Sequence, residues 1–156
     1  MIITTHDVWY NRILRWLSFR PRSRQELVTY LKQKKVNSGV IADVVAKLEA
    51  RNFINDFEFA RWFIEQRNAF RPKAAYLLKL ELKQKGIGGE IIEQLFAGEE
   101  VEDDVLLAKK IIQKKAKLFA CLAPVSAKKK LINLLLRRGF SWQTIGQVLP
   151  EIGPDF

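Results

Sequence analysis

With 156 residues, 48% of them apolar, the chain is long enough for one domain or a compact repeat array and too apolar to be disordered. Its eight Gly and five Pro are too few for an all-β protein rich in tight turns, and a single cysteine (Cys121) with a single histidine (His6) excludes both an internal disulfide and a structural zinc site. The formal net charge of +10 points to an anionic partner, either nucleic acid, an acidic protein or an anionic surface, although a solvated basic surface would carry the same sign.

The opening residues, Met1 to Asp7, lack a basic segment followed by an apolar run, so no secretory signal is expected. No stretch approaches the roughly 18 apolar residues that span a bilayer. A cytoplasmic protein without a membrane association is the expectation.

Apolar residues recur at three and four residues along the whole chain, the period of an amphipathic helix, with no sustained alternation of period two. The spacing predicts an all-α protein. Helices are expected near 6–18, 23–34 and 38–51, then 56–69, 73–85 and 89–97, then 101–118, 126–138 and 141–149. In the first set, Trp9, Ile13, Trp16 and Leu17 form one stripe, and Ser23 with Glu26 reads as a capping box. The second set opens on Asn55-Asp56-Phe57-Glu58, with Asn55 as the cap. Gly86 and Gly139 follow helical runs and suit a left-handed stop, and Pro21, Pro72 and Pro124 sit at helix entries. Asp103 and Asp104 fall in the first turn of the seventh helix, where negative charge suits the dipole.

The three sets are copies of one another. Leu31-Lys-Gln-Lys-Lys-Val36 matches Leu82-Lys-Gln-Lys-Gly-Ile87 and Leu135-Leu-Arg-Arg-Gly-Phe140. Phe19-Arg20-Pro21-Arg22 matches Phe70-Arg71-Pro72-Lys73 at an offset of 51 residues, the same offset that separates Leu31 from Leu82. Ile41, Ile92 and Ile145 lie at one distance from their stops, as do Val44, Leu95 and Val148. Two departures stand out: Lys35 occupies a position that is Gly in the other copies, and Gly88-Gly89 leaves the sixth helix without a polar cap. The expected organisation is three tandem three-helix units, 1–54, 55–100 and 101–156, stacked into an elongated, curved array because a unit this short buries its apolar face poorly alone.

Catalytic constellations are missing. There is no Walker-type loop and no dinucleotide fingerprint. A Ser-His-Asp set would need His6, at the start of the chain, and Cys121 among Leu118, Phe119 and Leu122 reads as a small buried hydrophobe. The carboxylate pairs Glu99/Glu100 and Asp103/Asp104 read as solvated linker residues, not as a metal site. No cofactor, no metal and no enzymatic activity are expected.

The basic residues carry more information. Between Val105 and Pro150 there are ten Lys or Arg and no acidic residue, behind the acidic stretch at 98–104. Lys109, Lys110, Lys114 and Lys115 recur along one helix, Lys128, Lys129 and Lys130 spread over most of a turn, and Arg137 and Arg138 close the next helix end. Such groups would neutralise phosphates without reading sequence. Cations at helix ends also complement the dipole, and the two roles are compatible. Trp16, Trp62, Phe63 and Phe140 lie on apolar stripes and read as core, whereas Phe19, Phe70 and Trp142 lie at turns as candidate contact points.

The order Arg20-Pro21-Arg22-Ser23 with Glu26-Leu27, then Asn55-Asp56-Phe57-Glu58-Phe59-Ala60-Arg61, Lys85-Gly86-Ile87 and Arg137-Arg138-Gly139-Phe140-Ser141 resembles the RecX family, the small bacterial regulators of the RecA recombinase. The resemblance runs from Tyr10 to Leu149 and implies the three-unit helical architecture. It implies a protein that lies in the groove of the RecA filament on single-stranded DNA and inhibits ATP hydrolysis, strand exchange and coprotease activity; a monomer is expected. The matching Arg-Pro turns add Arg20, Arg22, Arg71 and Lys73 to the candidate filament- and DNA-binding residues. Charge alone supports a second reading, a helical-repeat protein that binds DNA without regard to sequence and without RecA.

Overall fold

The computed structural model describes residues 5–98 and 101–151, so the pair Glu99/Glu100 lies outside the described residues. Among them are nine α-helices and no strand: α1 (Thr5–Leu17), α2 (Arg24–Gln33), α3 (Ser38–Ala50), α4 (Asp56–Phe70), α5 (Ala75–Gln84), α6 (Gly89–Ala97), α7 (Asp104–Phe119), α8 (Pro124–Arg137) and α9 (Trp142–Val148). A 3₁₀ turn, Leu149–Glu151, follows α9.

Local chemistry sets the ends of these helices. The Ser23 hydroxyl accepts from the Glu26 amide, and the Glu26 carboxylate accepts from the Ser23 amide, which completes the capping box of α2. Asn55 Oδ1 accepts from the amides of Phe57 and Glu58 at the start of α4. Asp103 caps α7, and Ser141 caps α9. Pro124 is the first residue of α8, where the missing N–H costs nothing.

The repeated Leu-basic-Gly-apolar pattern is a helix stop in which the chain turns left-handed and reaches back. Val36, Ile87 and Phe140 donate their amides to the carbonyls of Leu31, Leu82 and Leu135, five residues earlier. Gly86 and Gly139 hold φ of 79° and 85° there. Lys35 takes the same conformation with φ 57°, so the first copy keeps the stop at the strain of a side chain in the left-handed region. A fourth stop of this kind, with Asn52 at φ 56° and Phe53 bonded to Leu48, ends α3; an Asn tolerates that region through its short polar side chain. Gly88, for its part, takes over the start of α6, with its carbonyl accepting from the Ile92 amide.

The described residues divide into two compact units, those within 1–63 and 82–94 and those within 64–81 and 95–156. The core of the first gathers Ile13 from α1, Leu27 and Leu31 from α2, and Ile41, Val44 and Leu48 from α3. The core of the second gathers Leu107, Ile111 and Ile112 from α7, Leu131 and Leu135 from α8, and Phe140, Ile145 and Val148. Leu31, Leu82 and Leu135, each at most 1% exposed, and the equivalent Ile41, Ile92 and Ile145 are all buried. The repeat offset therefore repeats a core position, worth about 1.5–3 kcal/mol for each such side chain.

Each unit contains one junction between successive repeats, and the two junctions bond at equivalent positions, with a side-chain hydroxyl as one donor in the first and a main-chain amide in its place in the second. In the first unit the Ser23 hydroxyl donates to the Lys85 carbonyl at 2.7 Å, and the Arg24 amide donates to Asp56 Oδ1 at 2.8 Å. In the second, the Ala74 amide donates to the Arg138 carbonyl at 2.9 Å, and the Ala75 amide donates to Asp104 Oδ1 at 2.9 Å. Ser23 and Ala74, like Arg24 and Ala75, are 51 residues apart, the offset of the sequence repeat. The effect is to satisfy unpaired groups at two helix ends at once: a first-turn N–H of α2 or α5, and a last-turn C=O of α5 or α8.

Candidate nucleic-acid interface

The candidate cations fall into two groups by what holds them. In the first unit, Arg20 pairs with Glu26 at 3.2 Å and Lys85 pairs with the same carboxylate at 2.9 Å. Burial pushes Glu26 up, but the bonds from Arg20 and Lys85 outweigh it and hold the carboxyl below its ordinary range. Arg22 lies 4.2 Å above the ring of Trp16, which stacks on Tyr30 at 4.5 Å. Its Nε is buried without a hydrogen-bond partner, and burial lowers its pKa. Arg20 and Arg22 are thus packing and ion-pairing residues first, and the Arg-Pro turn is a structural element of the junction.

Lys73 of the second unit is engaged too. Its ammonium and the Arg67 guanidinium share Glu81, whose carboxyl is raised by burial and lowered by a larger amount by these two cations. Lys110 pairs with Glu102.

The remaining candidates lie on α7 and α8, at the end of α8 and, for Arg71, just after α4. Lys114 is exposed and Lys115 half-buried, while Lys109 is half-buried and engaged by a contact of its own. Lys128, Lys129 and Lys130 are all exposed, although Lys130 sits 6.0 Å from the Phe119 ring. Arg71 and Arg137 are exposed, and Arg138, half-buried, donates to the Pro72 carbonyl at 3.3 Å. Burial and the neighbouring Arg71 and Arg137 cations lower the Arg138 pKa. Three charges of one sign, gathered without a carboxylate partner among the described residues, attract a polyanion.

The structure brings the cations together at two concave places in this unit. Lys110, Lys114, Lys115 and Arg138 line a cavity of about 280 Å³ that also includes Phe70 and Asn68. Lys130 and Arg137, seven residues apart on one face of α8, line a shallower groove with Phe119 and Asn133. Lys128 and Lys129 join neither.

The turn aromatics are exposed as the sequence suggests: Phe19 79%, Phe70 82% and Trp142 67%. Phe63 and Phe140 are buried, whereas Trp16 and Trp62 are only half-buried. Trp62 lines an open cavity of about 770 Å³ in the first unit with Phe19, Phe53 and Phe59. Cys121 corrects the expectation of a buried thiol. It is exposed, because the buried stripe of α7 ends at Ile112 and Cys121 lies beyond the helix in the turn before α8. His6 lies in the first turn of α1, with Nε2 3.0 Å from Asp43 Oδ2. Asn68, whose buried Oδ1 has no hydrogen-bond partner, was not legible as a site residue; a lone Asn in a helix carries no sequence signal.

Among the described residues no group of three or more His, Cys, Asp or Glu side chains could hold a metal ion. None of their helices is long and apolar enough to cross a membrane.

Three family models match in order along the chain: the first three-helix domain of RecX at residues 10–48, the second at 55–95 and the third at 102–149. The regulatory protein RecX of Prosthecochloris aestuarii is 34% identical over 142 residues, which cover 91% of each chain. That of Geobacillus sp. (strain WCH70) is 34% identical over 140 residues, 90% of this chain and 52% of the relative, and that of Bacillus subtilis is 32% identical over 143 residues, 92% and 54%. The chain therefore spans about half the length of several relatives it matches. The crystal structure of RecX from Lactobacillus salivarius superimposes with a TM-score of 0.74 at 25% identity, covering 94% of this chain and 96% of that one. A second crystal structure of regulatory protein RecX shares the fold, with a TM-score of 0.70 at 24% identity over 92% and 70%. Three domain matches in order, whole-length similarity to a curated relative and the shared fold agree: the chain belongs to the RecX family of regulatory proteins.

Proposed function

We propose that this protein binds the RecA filament on single-stranded DNA and inhibits its ATPase, strand exchange and coprotease activities. The observation that carries the reading is the ordered match of all three RecX domains. The run from Val105 to Pro150, with ten cations and no acidic residue, supports it, since a nucleoprotein filament presents phosphates. In this reading the protein acts as a cytoplasmic monomer without a cofactor or catalysis of its own. Its three units, 1–54, 55–100 and 101–156, are unequal, and the third supplies most of the cations that meet the filament.

Charge favours the second reading, sequence-independent binding to DNA without RecA. The two separate in a binding comparison at one salt concentration. A filament regulator binds RecA filaments on single-stranded DNA more tightly than the same strand without RecA. Equal affinity for both, with the same steep loss on adding salt, would favour the DNA-binding reading instead.

A further inference from the structure

The cavity of about 280 Å³ in the second unit combines features that charge alone does not explain. It is walled by the end of α4, by α7 and by Arg138 at the end of α8. Lys110 is engaged by Glu102, but no carboxylate among the described residues lies within ion-pair distance of Lys114, Lys115 or Arg138. Phe70 lines the cavity and leaves 82% of its surface exposed.

Unpaired cations call for an anion, and an exposed ring beside them calls for a flat apolar partner. One nucleotide supplies both. The volume sits near the lower end of small-ligand pockets, about 300 Å³, and so admits a single nucleotide and not a base pair. Bases in a duplex are already stacked and paired, so a site of this form selects a single strand.

We propose that this cavity is a nucleotide subsite for single-stranded nucleic acid, in which Lys114, Lys115 and Arg138 hold a phosphodiester and Phe70 stacks the base. The inference rests on the single-strand half of the function proposed above and places that interaction at named atoms.

The test is fluorescence anisotropy with a short labelled oligothymidylate and with an abasic deoxyribose-phosphate chain of the same length, neither of them bound to RecA. Phe70→Ala weakens the oligothymidylate about tenfold, equivalent to about 1.4 kcal/mol, and leaves the abasic chain unchanged. Lys114→Gln with Lys115→Gln weakens both probes and lowers the salt slope by about 0.7 for each phosphate that is no longer neutralised. Phe19→Ala, the equivalent exposed aromatic of the first repeat, changes neither. An oligothymidylate affinity untouched by Phe70→Ala, or an abasic chain weakened to the same degree, overturns the subsite. Phe70 is exposed, so the variant keeps its fold, and an unchanged urea midpoint checks this. RecA ATPase inhibition measured on the same samples separates the two readings. A wild type that binds the oligomer as described but leaves the filament unaffected refutes the filament reading and supports the subsite. Full inhibition with oligomer binding insensitive to Phe70 refutes the subsite alone.

Discussion

Gly139 closes α8 with φ 85°, and its α-carbon faces Leu77 of α5. A Cβ built there would lie 2.5 Å from Leu77 Cγ and 2.7 Å from Cδ1, well inside the distance that carbon atoms tolerate. Gly139→Ala therefore carries two costs. The left-handed backbone costs an alanine about 1–2 kcal/mol, and forcing the leucine aside costs about 1–3 kcal/mol. The sum, about 2–5 kcal/mol, is a large share of the about 5–15 kcal/mol that holds a typical domain folded. With a urea slope of about 2 kcal/mol/M, the denaturation midpoint falls by about 1–2.5 M. Gly146 in α9 is the control, because no atom lies within 4 Å of its built Cβ and its φ is not left-handed. Gly146→Ala gains about 0.5–1 kcal/mol from helix propensity alone. Trimming the neighbour isolates the steric part: in a Leu77→Ala background, Gly139→Ala costs only the backbone share. If the midpoint is unchanged by Gly139→Ala, or falls equally for Gly146→Ala, the close junction is not as described.

Lys35 sits in the same left-handed stop as Gly86 and Gly139, so Lys35→Gly raises stability by about 0.5 kcal/mol in a urea titration, the relief of strain exceeding the added chain entropy. The Glu26 and Glu81 carboxyls are held below their ordinary value of 4.5, so the stability they lend is full above that pH and is lost as pH falls through their folded-state values. Glu81→Gln should flatten this acid limb; a limb of unchanged steepness would mean that the Arg67–Glu81–Lys73 set does not contribute. Burial raises Asp56, which acts with the opposite sign and partly offsets the limb. Lys128→Glu with Lys130→Glu should weaken filament inhibition more than Lys47→Glu, whose ammonium is already occupied by Asp7 and the Tyr10 ring, and equal losses would show that the third repeat has no special role.

Much of the fold is legible in the residues because it is written in local chemistry. Ser23, Asn55 and Pro124 mark helix starts through bonds that close within a few residues, and Gly86 and Gly139 mark stops through a backbone conformation that disfavours side chains. The repeat is legible because a core position recurs with its stop, as Leu31, Leu82 and Leu135 do. The junction bonds are not. Two of them run from a hydroxyl or amide to a main-chain carbonyl more than 60 residues away, which any residue can supply, and the other two run from a main-chain amide to an Asp about 30 residues on, in the next repeat.

The site is less legible for a related reason. A cation in the sequence does not reveal whether a carboxylate will meet it in the fold. Arg20, Lys73 and Lys110 find Glu26, Glu81 and Glu102, and Arg22 finds an indole, while Lys114, Lys115 and Arg137 meet no carboxylate among the described residues. Cys121 misleads through its apolar neighbours, because the buried stripe of α7 ends at Ile112, well before it.

The most direct measurement is ATP turnover by RecA assembled on single-stranded DNA as this protein is titrated in. A RecX-type inhibitor lowers turnover at or below stoichiometric amounts. Turnover unchanged at saturating protein contradicts the proposed function.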